Sequence, residues 1–391
     1  MNILFFHSNE ILPEKGGISR TTYNLTKSLR ECGHNVFLLG YRNIYPECTH
    51  DINQAFIPSA IGDSFEDMVC FLNLYLRNKS IDIIINQNPF VKLYVDLIYS
   101  AKRGLECKVI SCYHNTILTP IYNYAYQREY VLKSKKLGLL FYVLKNKFIN
   151  KLLVEYYICR NRSIYENTIH KSDKVVLLCE GLRDELAKIS GLSDSDKYVI
   201  IPNMIPENED INNVVKKNKV LWVGTFDNNV KRPDLALKIW ERLGNNTNGW
   251  ELHLLGDGPA LDEMKSLSKK MKLNNVIFEG RRNPYRFYRE SKIIMVTSTH
   301  ESFSLVTVEA MSNKCVPILF NSFPAAKKII KGNKTGFLIP AFSIDSFSEK
   351  MISLMKNPKI LETIGEEAQI ESKKYCPINI VELWNRLFNH L

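Results

Sequence analysis

The sequence contains no C-x-x-C pair, although nine cysteines are spread from Cys32 to Cys376. That spacing argues against a zinc site or a disulfide frame. Cys179 in VVLLCE and Cys315 in CVPILF read as small buried hydrophobes of a reducing compartment. No run of about eighteen uncharged apolar residues occurs, so no membrane-spanning helix is expected. The N-terminus MNILFFHSNE lacks a basic leader and a small-residue cleavage site, and reads as a first strand rather than a signal peptide. G-x-G-x-x-G is also missing, which leaves a dinucleotide dehydrogenase unsupported.

What remains is a chain of 391 residues, 45% hydrophobic and 24% charged, long enough for two domains with separate cores. The net charge of +11 fits nucleic acid, an anionic membrane surface or a phosphorylated substrate. Nucleic acid binding would call for clustered cations with a recognition helix or stacking motif, and none is seen.

Two series of alternating strands and helices follow. In the first, ILFF (3–6), NVFLLG (35–40), IDIIIN (81–86), KVISCY (108–113) and KVVLLC (174–179) are apolar runs without alternation. Strands buried on both faces of a parallel sheet have that pattern. VIIPNMIPENED (199–210) reads as a strand end passing into a linker. The second series has KVLWVG (219–224), a helix from Pro233 to Arg242, WELHLLG (250–256), a helix over 259–271, and VIFEG (276–280). It continues with IIMVTS (293–298), a helix from about 305, CVPILF (315–320) and GFLIP (336–340). The expected class is α/β, with two Rossmann-like doubly wound domains. Residues 121–170 break the alternation with a helical, basic, aromatic-rich insertion. It is either a solvated basic face or a surface that meets anionic lipid.

Ligands of parallel sheets sit beyond the strands' carboxyl ends. After the first strand, Gly16 and Gly17 open a helix, as a plain turn or as an anion-facing start. His114 follows KVISCY, and His7 lies similarly after the first strand, as a structural or substrate-adjacent residue. Lys231 and Arg232 precede a helix opened by Pro233. Two cations there oppose the helix dipole, which an anion would repair. In THESFSLVTVEAM, the amides of Ser304, Leu305 and Val306 would form a free helix start that accepts an anion. Glu301 and Glu309 flank it. A carboxylate repels phosphate and suits neutral hydroxyls, so the pattern reads as phosphates on amides and lysine, with sugars on the glutamates.

In this order and spacing, KGGISR (15–20), YHN (113–115), IPN (201–203), WVGTFDNNVKRPDLAL (222–237), LLGDGP (254–259), FEGRRNP (278–284), HESFSLVTVEA (300–310) and TGFLIP (335–340) resemble the retaining glycosyltransferases of family 4. The resemblance, to the bacterial surface-polysaccharide type, implies a GT-B fold with two Rossmann-like domains facing a central cleft. The implied division is 1–205 for acceptor binding, including the insertion, and 206–373 for the nucleotide sugar. Residues 374–391 would form a helix crossing back onto the first domain. The resemblance also implies that Gly16, Gly17 and Lys231 face the donor diphosphate and that His114 lies by the donor sugar. Glu301 would contact the transferred sugar, Glu309 the ribose, and Arg281 the base. Three positions depart from the family. Thr225, counted among the donor-binding residues, stands where arginine is usual, so one diphosphate contact is lost or Arg232 supplies it. Ser302 and Lys314 each replace a usual glycine.

The implied reaction moves a hexose-type sugar from a nucleotide-diphosphate sugar, a UDP-sugar in this reading, to a saccharide acceptor, with retention. No cofactor or metal is expected. The D-x-D at Asp194–Asp196 reads as a surface turn. His114, Glu301 and Lys231 are the expected catalytic residues. Lys133, Lys135, Lys136, Lys145, Lys147 and Lys151 beside LGLLFYVL suggest an anionic membrane surface, a lipid-linked acceptor, and a cytoplasmic enzyme peripheral to the inner face of the cell membrane. The rival readings are an inactive nucleotide- or glycan-binding homologue and a sugar-nucleotide epimerase.

Overall fold

The computed structural model describes residues 1–45, 53–58, 64–193, 196–206 and 214–391. The linker expected after Pro206 and most of the D-x-D lie outside them. Two compact units result. One comprises Met1–Asn115, Ile158–Pro206 and Tyr375–Leu391, and the other Thr116–Tyr157 and Glu207–Lys374.

The first unit is built on a parallel sheet of β1 (Asn2–His7), β2 (Asn35–Gly40), β3 (Ala55–Phe56), β4 (Ile83–Asn86), β5 (Lys108–Tyr113), β6 (Lys174–Leu177) and β7 (Tyr198–Ile200). Their order is β3-β2-β1-β4-β5-β6-β7. Every residue of β4 is buried, as an unalternated Ile run should be in a sheet covered on both faces. One face packs on Leu25, Leu29, Ile380 and Trp384, and the other on Met68, Leu72, Leu97 and Ile98.

The final helix, Pro377–Asn389, buries Ile380, Val381, Trp384, Leu387 and Phe388 in the first of these cores. That spacing is one helical stripe. Each side chain contributes roughly 2 kcal/mol by leaving water. The Asn385 side chain meets His34 Nε2 at 2.9 Å, and the Ile205 amide donates to the Tyr375 carbonyl. The expected return of the C-terminus to the first sheet is therefore present.

The second unit has a parallel sheet of β8 (Lys217–Val223), β9 (Glu251–Leu255), β10 (Val276–Gly280), β11 (Ser291–Val296), β12 (Val316–Phe320) and β13 (Phe337–Ile339). Their order is β10-β9-β8-β11-β12-β13. Both sheets are therefore doubly wound, as the apolar runs implied.

The insertion departs from expectation. Residues 116–157 pack with the second unit rather than belonging to the first. The helix Tyr124–Ser134 is fixed there by Tyr126, whose ring stacks on Phe342 at 4.0 Å between centroids. Glu129 binds Arg232, and the Asn123 amide donates to the carbonyls of Thr299 and Ser322 at 2.7 Å each. Sequence order placed the insertion in the first half, but these partners lie more than a hundred residues downstream.

Candidate functional site

The loop after β8 is held by backbone contacts that only glycine permits. Gly256 (φ +138°) follows β9, and a Cβ there would lie 1.8 Å from the Gly224 carbonyl oxygen. At Gly258 (φ +150°) it would lie 2.8 Å from the Phe226 backbone. The loops after β8 and β9 therefore lie against each other. The segment continues to Lys231, whose Nζ meets Glu301 Oε1 at 2.5 Å. Ser298 Oγ donates to the same oxygen at 2.7 Å. Thr297 Oγ1 donates to the Lys231 carbonyl at 2.8 Å and accepts from Trp222 Nε1 at 3.0 Å. Strands β8 and β11 are neighbours, so their carboxyl ends bring lysine and glutamate together from seventy residues apart. Both side chains keep some exposure, 25% for Lys231 and 12% for Glu301. The pair can thus exchange partners with an incoming ligand.

Arg232 corrects an expectation. Its side chain has no exposure and all three guanidinium nitrogens are engaged within the protein, so it does not supply the diphosphate contact that Thr225 lacks. It sits in the left-handed region (φ 54°), which turns its side chain inward. Nε and Nη2 grip the two oxygens of Asp234 at 2.7 and 2.9 Å. Nη2 also reaches Glu129 Oε2 at 3.1 Å, and Nη1 donates to the Tyr126 carbonyl. Burial alone would raise the carboxyl of Asp234. Arg232, and after it Lys238, outweighs burial and holds the group below the usual carboxylate range. The arginine bolts the insertion onto the helix Pro233–Leu243.

The helix Leu305–Ser312 begins at Ser304, a left-handed residue (φ 70°). No side chain caps its amides, and Leu305 and Val306 are half-exposed. Its start is therefore open to an acceptor from outside the helix. Ser304 Oγ instead pairs with Thr307 Oγ1 at 2.8 Å. Glu309, one turn inside, is 1% exposed and accepts from the Tyr288 hydroxyl at 3.0 Å. Ser302 is not among the positive-φ residues, so serine costs nothing there. Thr225 and Arg281 are exposed, Arg281 directly after β10.

In the first unit Gly16 is extended (φ 170°), a conformation open to any residue. Gly17 begins the helix Gly17–Glu31, and a Cβ on Gly16 would meet nothing within 4 Å. His114 is buried, and its Nε2 pairs with Gln87 Oε1. Its Nδ1 and His7 Nε2 have no hydrogen-bond partner among the described residues. Burial lowers His114 to about 4. Burial, and then His114 itself, lowers His7 to about 3. Both imidazoles are therefore neutral at physiological pH.

Sequence reasoning missed Ser298, Tyr288 and the partners of Arg232. Asp234, two residues after an arginine, was a readable hint of a local grip. Tyr288 carried no signal, because its contact with Glu309 depends on the packing of two helices.

The chain matches Glycosyltransferase Family 4 over residues 15–209 and Glycosyl transferases group 1 over residues 204–371. An uncharacterized glycosyltransferase of Haemophilus influenzae is 29% identical over 153 residues, covering 39% of this chain and 43% of that one. The poly(glycerol-phosphate) alpha-glucosyltransferase of Bacillus subtilis is 24% identical over 274 residues, covering 68% of this chain and 40% of that one. In both, the matched region is less than half the relative's length. The solved structure of Anabaena HepE in complex with UDP and glucose has a TM-score of 0.73 and 14% identity, with 100% of both chains covered. At that identity the likeness concerns the fold.

Proposed function

The chain belongs to the family 4 glycosyltransferases with the GT-B fold, and from that premise we propose that it transfers a hexose-type sugar, with retention, from a UDP-sugar to a saccharide acceptor in polysaccharide synthesis. The observation that carries this reading is the Lys231–Glu301 pair beside the uncapped helix start at Leu305. The leaving diphosphate gains charge in the transition state. Lys231 and the amides of Ser304, Leu305 and Val306 stabilise it there. With Arg232 buried and threonine at 225, Lys231 is the main side-chain cation in this role. Glu301, released from Lys231, accepts from hydroxyls of the transferred sugar. Glu309 accepts from the ribose while Tyr288 holds its second oxygen in place. Arg281 lies along the base. The acceptor attacks from the face the diphosphate leaves. Because lysine and amides carry the charge, the reaction is metal-independent.

The acceptor is lipid-linked in this proposal, and the insertion docks on anionic lipid at the inner face of the membrane. Leu139 and Phe148 are 83% and 68% exposed, beside exposed Tyr142, Leu152 and Tyr156. Lys135, Lys136, Lys147 and Lys151 surround them and are exposed too. Lys133 and Lys145 lie 5.2 and 5.9 Å from the Phe141 ring centroid. No helix of the described residues is long and apolar enough to cross a membrane. Contact would therefore be peripheral, with each lysine adding about 1 kcal/mol near an anionic surface.

One experiment addresses both parts. Radiolabelled UDP-, GDP- and ADP-sugars are offered with lipid-linked saccharides in neutral or anionic vesicles, and bound protein is recovered by flotation. Label should pass to the acceptor from one donor, with the anomeric configuration kept, and chelator should not alter the rate. Protein should float with anionic vesicles alone, and less so at high salt or with the insertion lysines changed to glutamine. A converted donor sugar without transfer would indicate an epimerase. Binding of UDP without turnover would indicate an inactive homologue. Equal flotation on both vesicle types, or none, would remove the membrane.

A further inference from the structure

The second unit carries a cavity of about 380 Å³ at the amino ends of its strands, the opposite edge of the sheet from the Lys231–Glu301 loops. Lys216 precedes β8, Lys292 lies near the start of β11, and Asn313 and Lys314 precede β12. Arg289 comes from the helix Tyr285–Glu290. The helix Pro358–Ser372 supplies Leu361 at the wall, and exposed Glu362 and Glu366. Four cations thus line a space that contains two carboxylates. The size suits a small metabolite.

Two details set this apart from an ordinary solvated charge cluster. Lys314 holds a left-handed backbone (φ 57°) that glycine would occupy at no cost. Gly365 fixes it there. A Cβ at that position would lie 2.7 Å from the Lys314 carbonyl oxygen, so the helix Pro358–Ser372 is pressed against it. The ion pair of Lys314 with Glu366 is long, 3.9 Å, and both side chains are exposed. A strained lysine with so weak a pair gains little structurally.

Lys216 is the second detail. Its Nζ donates to the carbonyls of Tyr288 and Ser291 at 2.8 and 2.6 Å, which fixes the ammonium at the cavity. Burial lowers it to about 8, and Cys315 and Lys314 lie close enough to act on it. It stays mostly charged at neutral pH. Lys292 is steadied by Asn218 Oδ1 at 2.7 Å and by the Trp250 ring, 5.8 Å away. Preorganised cations converging on one open cavity favour a compact dianion over scattered chloride.

We propose that this cavity, lined by Lys216, Arg289, Lys292 and Lys314, is a second binding site that takes a small phosphate-bearing molecule. It is separate from the candidate donor site, since its lining residues come from the other ends of the same strands. The occupant is either free phosphate or a phosphate monoester, because both present the same dianionic group.

The test is calorimetric titration of the full chain with inorganic phosphate and with glucose 1-phosphate, at constant ionic strength set by chloride. Saturable binding is expected, and Lys231→Ala should leave it unchanged. Lys314→Gly relieves the left-handed backbone and should fold at least as well. It should weaken binding about tenfold, as should Lys292→Gln. Tighter binding of glucose 1-phosphate than of phosphate would identify the occupant as an ester, and equal binding would identify it as free phosphate. The proposal is overturned by an absence of saturation, by binding that vanishes with Lys231→Ala, or by binding that both cavity variants leave intact.

Discussion

In the first unit the strand ends carry two imidazoles, His7 and His114, both buried and neutral. In the second, the strand ends carry a lysine and a glutamate in contact, both partly exposed. The two sheets are wound alike, so the scaffold does not explain the difference. Burial does. Where solvent is shut out, a group that can lose its charge loses it, and where solvent remains an ion pair survives. Arg232 shows the remaining case within the second unit. It is buried and cannot lose its charge, so it is surrounded by Asp234 and Glu129.

The largest expected effect comes from removing that surrounded charge. Arg232→Ala leaves buried Asp234 with Lys238 alone and half-buried Glu129 with Lys133 alone, and should destabilise the protein by about 3 kcal/mol. Urea unfolding measures it. An unchanged midpoint would mean that the insertion is not held by this network. Arg232→Lys keeps the charge but loses the two-pronged grip, and should fall between.

At the exposed pair the expectation reverses, with little effect on stability and a large one on chemistry. Lys231→Ala should lower kcat about a hundredfold, close to 3 kcal/mol of barrier, with a smaller change in donor KM. Its unfolding free energy should stay within about 1 kcal/mol of the parent. If only KM rises, the lysine binds the donor without stabilising the transition state.

Per pH unit, the smallest effect concerns the imidazoles. The folded pKa values of His7 and His114 lie below the unfolded value near 6.5, so the unfolded chain takes up protons first as pH falls. Stability should be greatest above pH 6.5 and should decline below it, levelling near pH 4 for His114 and pH 3 for His7. The decline is about 1.4 kcal/mol per pH unit for each imidazole. Denaturation curves between pH 4.5 and 7.5 should lose part of this slope in His7→Gln, and likewise in His114→Gln. An unaltered slope in both variants would show that the imidazoles do not set the acid limit.

Much of the architecture was legible because it depends on local pattern. Unalternated runs such as IIIN and VPILF fit strands covered on both faces, and both are fully buried strands. The final helix was implied by the resemblance, and Ile380, Val381, Trp384 and Leu387 form its buried face. The loops worth examining were legible too, since glycines, cations and a serine before a helix mark strand ends in a parallel sheet. Lys231 and Glu301 could thus be nominated without coordinates.

Their contact could not, nor could the fate of the residue beside Lys231. Two adjacent cations are equivalent in a sequence. A left-handed backbone turned Arg232 inward to partners a hundred residues upstream, while Lys231 remained at the surface. The insertion lies in the first half of the chain, but its part up to Tyr157 packs in the second unit, where Arg232, Phe342 and the Thr299 carbonyl hold it. Composition, hydrophobic period and turn chemistry act over a few residues, and with them the sequence determined the two sheets, their strand order of appearance and the candidate loops. Burial and charge pairing act between residues distant in the chain, and only the tertiary structure decided which cation is enclosed, which imidazoles stay neutral and where the insertion packs.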